Sequence, residues 1–209
     1  MLDLPTVLVT AFEPFGGAAI NPSWEATKDL DGSTIAGHRV RVVRLPVVYD
    51  EMAKPLADAL AREKPDVVVS FGLGHPIFRV ERVARNAYHP GKPADNAGKP
   101  PPRDAIVPDA AATLATALPA DEIVAALRAE KIGAEPSDDA GGYLCNECFF
   151  RLMSWRDAGG GAPASRGFVH VPPIGAANPM GGTYDLDTIR RGVRVVLETT
   201  LARAKSPKS

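Results

Sequence analysis

The stretch "DVVVSF", Asp66 to Phe71, is the strongest signal of a buried β-strand in the chain. It places three β-branched valines in a row and shows no alternation of polar and apolar residues, which is typical of a strand covered on both faces. The earlier stretch "TVLVT", Thr6 to Thr10, has the same character. Strands of this kind predict a central sheet with helices packed against both of its sides.

Further strands and helices alternate along the rest of the chain. "RVRVVRL", residues 39–45, alternates charge with valine and predicts a strand nearer a sheet edge. Shorter strands are predicted at 134–137 and 167–172. Helices are predicted after the caps Asn21 and Asp50, over "ADEIVAALRAEKIG", and over Asp187 to Ala202, with Pro55 as a candidate kink in the second of them. This alternation predicts a three-layer α/β/α sandwich around a mostly parallel, twisted sheet.

The chain of 209 residues fits one domain, residues 1–209, with a polar tail at 203–209. The proline- and glycine-rich segment at 89–108 is too long for a plain connection and is expected to be either functional or mobile. The composition, with 45% hydrophobic and 23% charged residues, is ordinary for a globular protein.

Charge and hydropathy exclude several classes of protein. A net charge of −1 argues against a nucleic-acid binder, which usually shows a basic face. We find neither a signal-peptide pattern at the N-terminus nor an apolar run near the roughly 20 residues of a membrane helix. We therefore expect a cytoplasmic protein without a membrane partner, in which the cysteines are reduced thiols.

Residues capable of chemistry fall near the ends of the predicted strands, where ligands collect in open parallel sheets. The loop "AFEPFGG" at 11–17 follows the first strand, and residues 72–75 follow "DVVVSF". Glu81 comes a little later, Cys145 follows the strand at 134–137, and His170 lies late in the last strand. We expect Glu81, Cys145 and His170 to converge at one end of the sheet.

The two cysteines of the chain, Cys145 and Cys148, form a Cys-x-x-Cys pattern in "GGYLCNECFF". A redox pair normally follows an early strand, whereas this pair comes late and encloses polar residues. A zinc site needs four ligands, or three with a water, and the four histidines of the chain include no His-x₃₋₅-His pair. A buried structural pair and a single catalytic thiol remain as the two main interpretations.

The catalytic interpretation depends on where the helix begins. Glycines before "YLC" and the apolar "FFRLM" after it predict a loop that enters a helix near Cys145. In the first turn, the positive end of the helix dipole is expected to lower the pKa of the Cys145 thiol. Cys148 is then a buried bystander one turn deeper.

A thiol nucleophile needs an imidazole to take its proton and a carboxylate to hold that imidazole. His170 and Glu81 fit these roles by their positions. His75 lies at the same end of the sheet and stays open as an alternative, whereas His38 is predicted in a turn and His89 in the proline-rich segment.

Several stretches then occur in a fixed order along nearly the whole chain. They are "VLVTAFEPFGGAAINPSWEA", "ERVARN" with "ADNAG" downstream, "LPADEIVAALRAEKIGAEPSDDAGGYLCN", and "GFVHVP". Together they resemble the pyroglutamyl peptidase I family, also called the pyrrolidone-carboxylate peptidases. The resemblance implies a cysteine peptidase that removes an N-terminal pyroglutamyl residue from small peptides, with no cofactor and no metal, and a homo-oligomer, either tetramer or dimer.

Carried over residue by residue, the resemblance makes Cys145 the nucleophile, His170 the general base and acid, and Glu81 the residue that orients His170. It also implies a pocket for the flat, uncharged lactam ring, gripped by aromatic faces. To this pocket we assign Phe12, Phe15, Gly16, Leu73, Tyr143 and Leu144; ordinary core packing is the alternative for the two phenylalanines.

The chain also departs from the family pattern. Leu73 stands where a glutamine is common, and "GLGHPIFRVER" is shorter than the usual stretch, which contains Gly-Gly-Arg. "YHPGK" replaces a common "DDAR", so Lys92 is the candidate substitute for the arginine, although lysine lacks the planar guanidinium fork. Two other functions stay open on these grounds: a related cysteine amidohydrolase for a different small N-acyl or lactam group, and a non-catalytic binding homologue.

Overall fold

The computed structural model describes residues 4–49, 51–102 and 104–204, and within them a seven-stranded sheet forms the centre of the protein. The order of the strands across the sheet is β2-β3-β1-β4-β9-β5-β8, and β6 pairs with β7 in a small separate sheet. The strands are β1 (Thr6–Phe12), β2 (Thr34–Ile35), β3 (His38–Leu45), β4 (Val67–Leu73), β5 (Phe78–Glu81), β6 (Val83–Arg85), β7 (Thr113–Ala115), β8 (Ala134–Ser137) and β9 (Ser165–Val171).

Helices cover both faces of the large sheet. They are α1 (Pro22–Thr27, followed by a 3₁₀ turn at Lys28–Leu30), α2 (Ala53–Glu63), α3 (Ala120–Ala129), α4 (Leu144–Ser154) and α5 (Leu186–Ala204). One hydrophobic core packs α1, α3 and α5 against one face of the sheet, and a second core packs α2 and α4 against the other. The predicted three-layer α/β/α sandwich is therefore confirmed.

The two strands with the strongest sequence signal lie at the middle of the sheet. All seven residues of β1 are buried, and β4 is buried from Val67 to Gly72. Both strands lose apolar surface from water on two faces at once, which explains why their sequences carry no polar alternation. The alternating strand β3 lies next to the edge strand β2, as its pattern predicted.

The sheet is mostly parallel, as predicted, and β5 and β8 run opposite to the central strands. β3, β1, β4 and β9 run parallel, but β5 pairs antiparallel with β9, and β8 is parallel to β5. Glu81, at the end of β5, therefore lies opposite Phe168, in the body of β9. The carboxyl ends of β1, β4 and β9 lie at one edge of the sheet, and β5, which was not predicted, and β8 end in the opposite direction.

Local sequence signals explain the helix starts. The Asn21 side chain accepts a hydrogen bond from the backbone N–H of Ser23, 3.0 Å away, and Pro22 occupies the first position of α1. Pro55 lies in the first turn of α2, where a missing N–H removes no intrahelical hydrogen bond, so the expected kink has no cause there. The predicted cap Asp50 lies outside the described residues.

Two further boundaries need correction. His38 is the buried first residue of β3 rather than part of a turn. Helix α5 continues to Ala204, so residues 203 and 204 do not belong to a polar tail. Among the described helices, none combines the length and apolar character needed to cross a membrane.

Candidate active site

Cys145 is the second residue of α4 and points into a cavity at the end of the sheet. Tyr143 precedes the helix in an extended conformation, and the first intrahelical hydrogen bond runs from the N–H of Glu147 to the carbonyl oxygen of Tyr143, 3.1 Å away. The N–H of Cys145 itself therefore lies among the donors that a helix leaves free at its start. These donors and the thiol lie together at the positive end of the helix dipole.

The pKa of the Cys145 thiol is nevertheless raised above its ordinary value. Burial is the largest cause, and the nearby Cys148 and Glu81 add to it. Lys92 and the backbone N–H of Cys145 act in the opposite direction but do not offset the burial. The lowered pKa expected from the helix dipole is therefore wrong for this structure, because burial outweighs the dipole.

His170 lies in β9 and is held by a buried carboxylate. Its Nδ1 lies 2.8 Å from Oε1 of Glu81, and both side chains are buried, Glu81 completely. The antiparallel pairing of β5 with β9 produces this contact, because it puts Glu81 and His170 on one face of two adjacent strands. With Nδ1 bound to the carboxylate, Nε2 is the ring nitrogen left for the cavity, which His170 lines.

Gly72, in β4, and Gly74, just after it, make room for the thiol and the imidazole. A Cβ atom on Gly72 would lie 2.9 Å from the Sγ of Cys145, and one on Gly74 would lie 2.6 Å from the ring of His170. Any side chain at either position would therefore displace a reactive group. Both glycines were expected to follow the strand, although a spacing of two in an extended chain already puts two positions on one side.

The other histidines lie in different surroundings. His75 is exposed in the loop after β4 and lines the same cavity as His170. Partial desolvation of the His75 ring is the main cause that lowers its pKa, and the positive charge of Arg79 is the second. His89 lies in the proline-rich segment and lines a separate cavity, and the ring of His38 contacts the carbonyl oxygen of Ala36.

The cavity beside Cys145 has a volume of about 520 Å³, and one of its walls is aromatic and aliphatic. We call it the aromatic cavity. Five of the six residues assigned to a pocket from the sequence line it, namely Phe12, Phe15, Leu73, Tyr143 and Leu144. Gly16 does not line the cavity and instead forms part of an exposed turn with positive φ. Phe12 also belongs to the core beneath α4, so it serves both packing and the cavity wall.

Tyr143 is held from several sides. Its ring packs at a tilt against Phe15, with centroids 6.1 Å apart, and edge-on against Tyr49 at 5.7 Å. Its hydroxyl donates a hydrogen bond to the carbonyl oxygen of Ala94, 3.3 Å away. These contacts fix one aromatic face beside the nucleophile before any ligand enters.

The proline-rich segment is tied to the rest of the site. Oδ2 of Asp95 accepts a hydrogen bond from the N–H of Tyr49 at 2.7 Å, and its Oδ1 accepts from the N–H groups of Ala97 and Lys99. Asn96 donates to Oε1 of Glu13 at 3.0 Å. The segment therefore borders the cavity through fixed contacts, and the charge of Glu13 is used in holding it.

Cys148 occupies a different environment. It is completely buried, and its Sγ lies 3.7 Å from Oγ of Ser70, which in turn accepts a hydrogen bond from Thr10 at 2.8 Å. Burial raises the pKa of Cys148 to about 12. Across the described residues, no group of three or more His, Cys, Asp or Glu side chains is arranged to hold a metal ion.

Asn146 is a site residue that the sequence analysis missed. Its side chain accepts a hydrogen bond from the N–H of Arg85 at 2.9 Å and donates to the carbonyl oxygens of Arg85 and Ala87. Asn146 thereby fixes the start of α4 to residues 85–87, which precede the proline-rich segment. In the sequence, the signal for this role was an asparagine within the otherwise largely apolar stretch "LCNECFF".

Comparisons with known proteins agree with this architecture. The family model for pyroglutamyl peptidase matches residues 5–203. A pyrrolidone-carboxylate peptidase 1 of Ralstonia nicotianae is 40% identical, over 96% of this chain and 94% of that protein. A mutant pyrrolidone carboxyl peptidase of Pyrococcus furiosus has a similar structure, with a TM-score of 0.86 and 33% identity over 95% of this chain and 99% of that one. A pyroglutamyl peptidase I of Bacillus amyloliquefaciens gives a TM-score of 0.85 at 31% identity, over 96% of this chain and 98% of that one.

Proposed function

This chain belongs to the pyroglutamyl peptidase family, and on that premise we propose that it is a cysteine peptidase that hydrolyses the bond after an N-terminal pyroglutamyl residue. The observation that carries the proposal is that Cys145 and His170 line the same aromatic cavity, while the buried Glu81 holds Nδ1 of His170. Family membership supports the substrate, and the geometry supports the assignment of the three roles.

The aromatic cavity suits a lactam ring by its chemistry. The ring is small, flat and uncharged, so the faces of Phe15 and Tyr143 can enclose it without a charged partner. Such a fit carries the scissile carbonyl toward Cys145, which lies two residues beyond Tyr143. Binding the ring against fixed side chains also supplies the orientation that catalysis requires.

Acylation starts from a neutral thiol, because burial raises the pKa of Cys145. As Sγ attacks the carbonyl carbon, Nε2 of His170 takes the thiol proton, and Glu81 stabilises the imidazolium that forms. Thiolate and imidazolium thus arise together as a pair in a site of low polarity, where their attraction is strong.

The start of α4 supplies the stabilisation of the tetrahedral intermediate. Its free backbone N–H groups, including that of Cys145, are oriented before the substrate arrives and can donate hydrogen bonds to the developing oxyanion. The removal of one such donor in other enzymes costs about 10²–10³-fold in rate.

Three proton transfers complete the reaction. His170 gives its proton to the leaving amine as the C–N bond breaks, so the shortened peptide departs and a thioester remains on Cys145. His170 then takes a proton from water as the hydroxide adds to the thioester, and it returns that proton to Sγ as the C–S bond breaks. The products are free pyroglutamate, the released peptide and the regenerated thiol.

The direct test is release of a fluorescent amine from a pyroglutamyl amide by the purified protein. We expect turnover for the pyroglutamyl amide and none for the matching prolyl and glutamyl amides. A protein that is folded and leaves all three amides intact would contradict the proposal.

A related cysteine amidohydrolase remains the second candidate. It is favoured by Leu73, which lines the aromatic cavity with an aliphatic side chain where the family commonly has a glutamine. A panel of small N-acyl aminoacyl amides distinguishes the two functions. Faster cleavage of an acyl group other than pyroglutamyl would favour this second candidate.

A homo-oligomer, tetramer or dimer, remains a proposal that rests on the family resemblance, and a cytoplasmic location remains a proposal as well. Light scattering coupled to size-exclusion chromatography measures the mass of the particle. A monomeric mass across micromolar concentrations would contradict the oligomer, and recovery of the native protein outside the cytoplasmic fraction would contradict the location.

A further inference from the structure

A second cavity, of about 510 Å³, opens beside the aromatic cavity. We call it the basic cleft, because Arg85, His89 and Lys92 all line it. Lys92, Asp139 and Gly141 line both cavities, so the basic cleft adjoins the aromatic cavity that contains Cys145.

The walls of the basic cleft are held in place by backbone contacts. The N–H of His89 donates to the carbonyl oxygen of Gly142 at 2.9 Å, and a Cβ atom on Gly142 would overlap the His89 backbone. Gly141 has a positive φ, and a Cβ there would lie 3.5 Å from Nζ of Lys92. The ammonium group of Lys92 therefore lies over the backbone that leads to Cys145, where the two cavities meet.

Two cationic side chains, Arg85 and Lys92, line the basic cleft against one carboxylate, that of Asp139, so positive charge is in excess. Asp138 accepts two hydrogen bonds from Arg82, the shorter at 2.6 Å, and Oδ1 of Asp139 accepts from the N–H of Gly141 at 3.0 Å. Arg85 donates to the backbone carbonyl oxygen of Asp138 at 3.1 Å. Lys92 is close enough to favour the thiolate form of Cys145 electrostatically.

The opposite side of the aromatic cavity differs in charge. Arg79 lines it there, but Nε of Arg79 lies 2.7 Å from Oε1 of Glu135, and this pair neutralises the charge. Among the described residues, Lys92 forms no ion pair, so a negatively charged ligand extending from Cys145 meets an unpaired cation on the side of the basic cleft.

We propose that the leaving part of the substrate lies in the basic cleft, and that Lys92, assisted by Arg85, gives the enzyme a preference for peptides with a carboxylate side chain within the three residues after the scissile bond. The inference rests on the proposed function, because it concerns the peptide that this reaction releases. The ring-binding wall and the basic cleft then recognise the two sides of the same bond, the first by shape and the second by charge.

The chemistry of the Lys92 side chain also determines how a carboxylate would be recognised. An ammonium on a flexible stem reaches a carboxylate at several positions, so the preference concerns charge more than geometry. A partly solvated pair of this kind changes affinity modestly, and we expect roughly a three- to tenfold gain in kcat/KM for the best acidic substrate. The gain shrinks as salt is added, since both charges remain partly exposed.

The experiment uses the purified full chain and peptides of the form pyroglutamyl-X-X-X-amide. Each of the three positions carries glutamate in turn, with alanine elsewhere, and each peptide is paired with its glutamine isostere. The measured quantity is the ratio of kcat/KM for glutamate over glutamine at each position, at low and high salt. The variants Lys92→Gln and Lys92→Glu are compared with Lys54→Gln, which removes an exposed lysine of α2 that lines neither cavity.

We expect a ratio of about three to ten for at least one position in the wild type and in Lys54→Gln. In Lys92→Gln the ratio should fall toward one, and in Lys92→Glu it should fall below one. Circular dichroism verifies that each variant is folded, and the Lys92→Arg variant, which keeps the charge, should retain the preference if Lys92→Gln is unstable.

The possible failures are distinguishable. Cleavage of every peptide with ratios near one, or a preference that persists in both Lys92→Gln and Lys92→Glu, overturns the role of the basic cleft and leaves the proposed peptidase intact. Absence of cleavage for every peptide overturns both proposals together.

Discussion

Two thiols lie three residues apart on α4, and the difference between them is one of access rather than acidity. Burial raises the pKa of both Cys145 and Cys148. Cys145 is only partly buried and lines the aromatic cavity, whereas Cys148 is sealed against Ser70 beneath the helix. The comparison teaches that a reactive cysteine is identified here by the groups that face it: free N–H donors, an imidazole and a cavity.

The largest effect is expected from exchanging the two thiols one at a time. Cys145→Ser should reduce kcat/KM for a pyroglutamyl amide by at least about 10³-fold, because it removes the nucleophile. Cys148→Ser should keep most of the activity, since the new hydroxyl has Ser70 and Thr10 within reach. Steady-state kinetics on folded variants measures both, and equal losses would indicate that the cysteines act as a pair.

The second test removes the imidazole that lines the cavity with Cys145, or the carboxylate that holds this imidazole. His170→Ala should lower kcat/KM by roughly 10²–10⁴-fold, because both proton transfers lose their carrier. Glu81→Gln should be impaired but measurable, since it loses only the charge that holds the imidazole. The matched control is His75→Ala, which removes the exposed histidine of the same cavity.

Folding of these variants is followed by circular dichroism. A folded His170→Ala enzyme with near wild-type turnover would refute the assignment of the base. A dead but folded His75→Ala enzyme would move that role to His75.

The third test compares two aromatic residues, each two positions from one thiol. Tyr143 lines the aromatic cavity, so Tyr143→Ala should raise KM by about tenfold, the effect of losing one aromatic contact with the ring. Phe150 is completely buried in the core, so Phe150→Ala should cost about 3–5 kcal/mol of stability instead.

Kinetics and denaturant unfolding separate these two effects. Tyr143→Phe serves as the control, because it keeps the ring and loses only the hydrogen bond to Ala94. Unchanged kinetics in Tyr143→Ala would mean that the substrate does not rest on this ring.

The smallest effect is expected in the pH dependence of stability. The folded pKa of Cys148, about 12, lies above the unfolded value of about 8.5, so the unfolded chain loses its thiol proton first. The contribution of this thiol is therefore fully present below pH 8.5 and is lost as the pH rises toward 12. Above pH 8.5 the wild type should lose up to about 1.4 kcal/mol per pH unit more than Cys148→Ser, measured by urea unfolding. Parallel stability curves for the two proteins would contradict the raised pKa.

The sequence predicted much of the fold because the signals were local. Unbroken runs of valine identified β1 and β4, and Asn21 with Pro22 identified the start of α1. The direction of β5 depended on pairing with β9, which lies about ninety positions later in the chain. No local pattern records such a long-range choice, so β5 was not predicted, although the mostly parallel character of the sheet was.

The candidate site likewise combines local features that the sequence predicted with long-range contacts that it did not. The spacing of Cys145 from the helix start was readable, but the burial that raises its pKa depends on strands and loops far away in sequence. The role of Gly72 and Gly74 emerged only when Cys145 and His170 were seen packed against them. The fixed contacts of Asp95 were likewise invisible in a segment whose composition only excluded regular structure.

The acyl-enzyme tests the central claim most directly, because it must form on one of the two thiols. The wild-type protein is mixed with excess pyroglutamyl substrate, quenched with acid within milliseconds, and examined by intact mass spectrometry and peptide mapping. We predict one added pyroglutamyl group, located on Cys145, which also forms in Cys148→Ser and is absent in Cys145→Ala. A pyroglutamyl group found on Cys148, or substrate turnover by Cys145→Ala, would contradict the account.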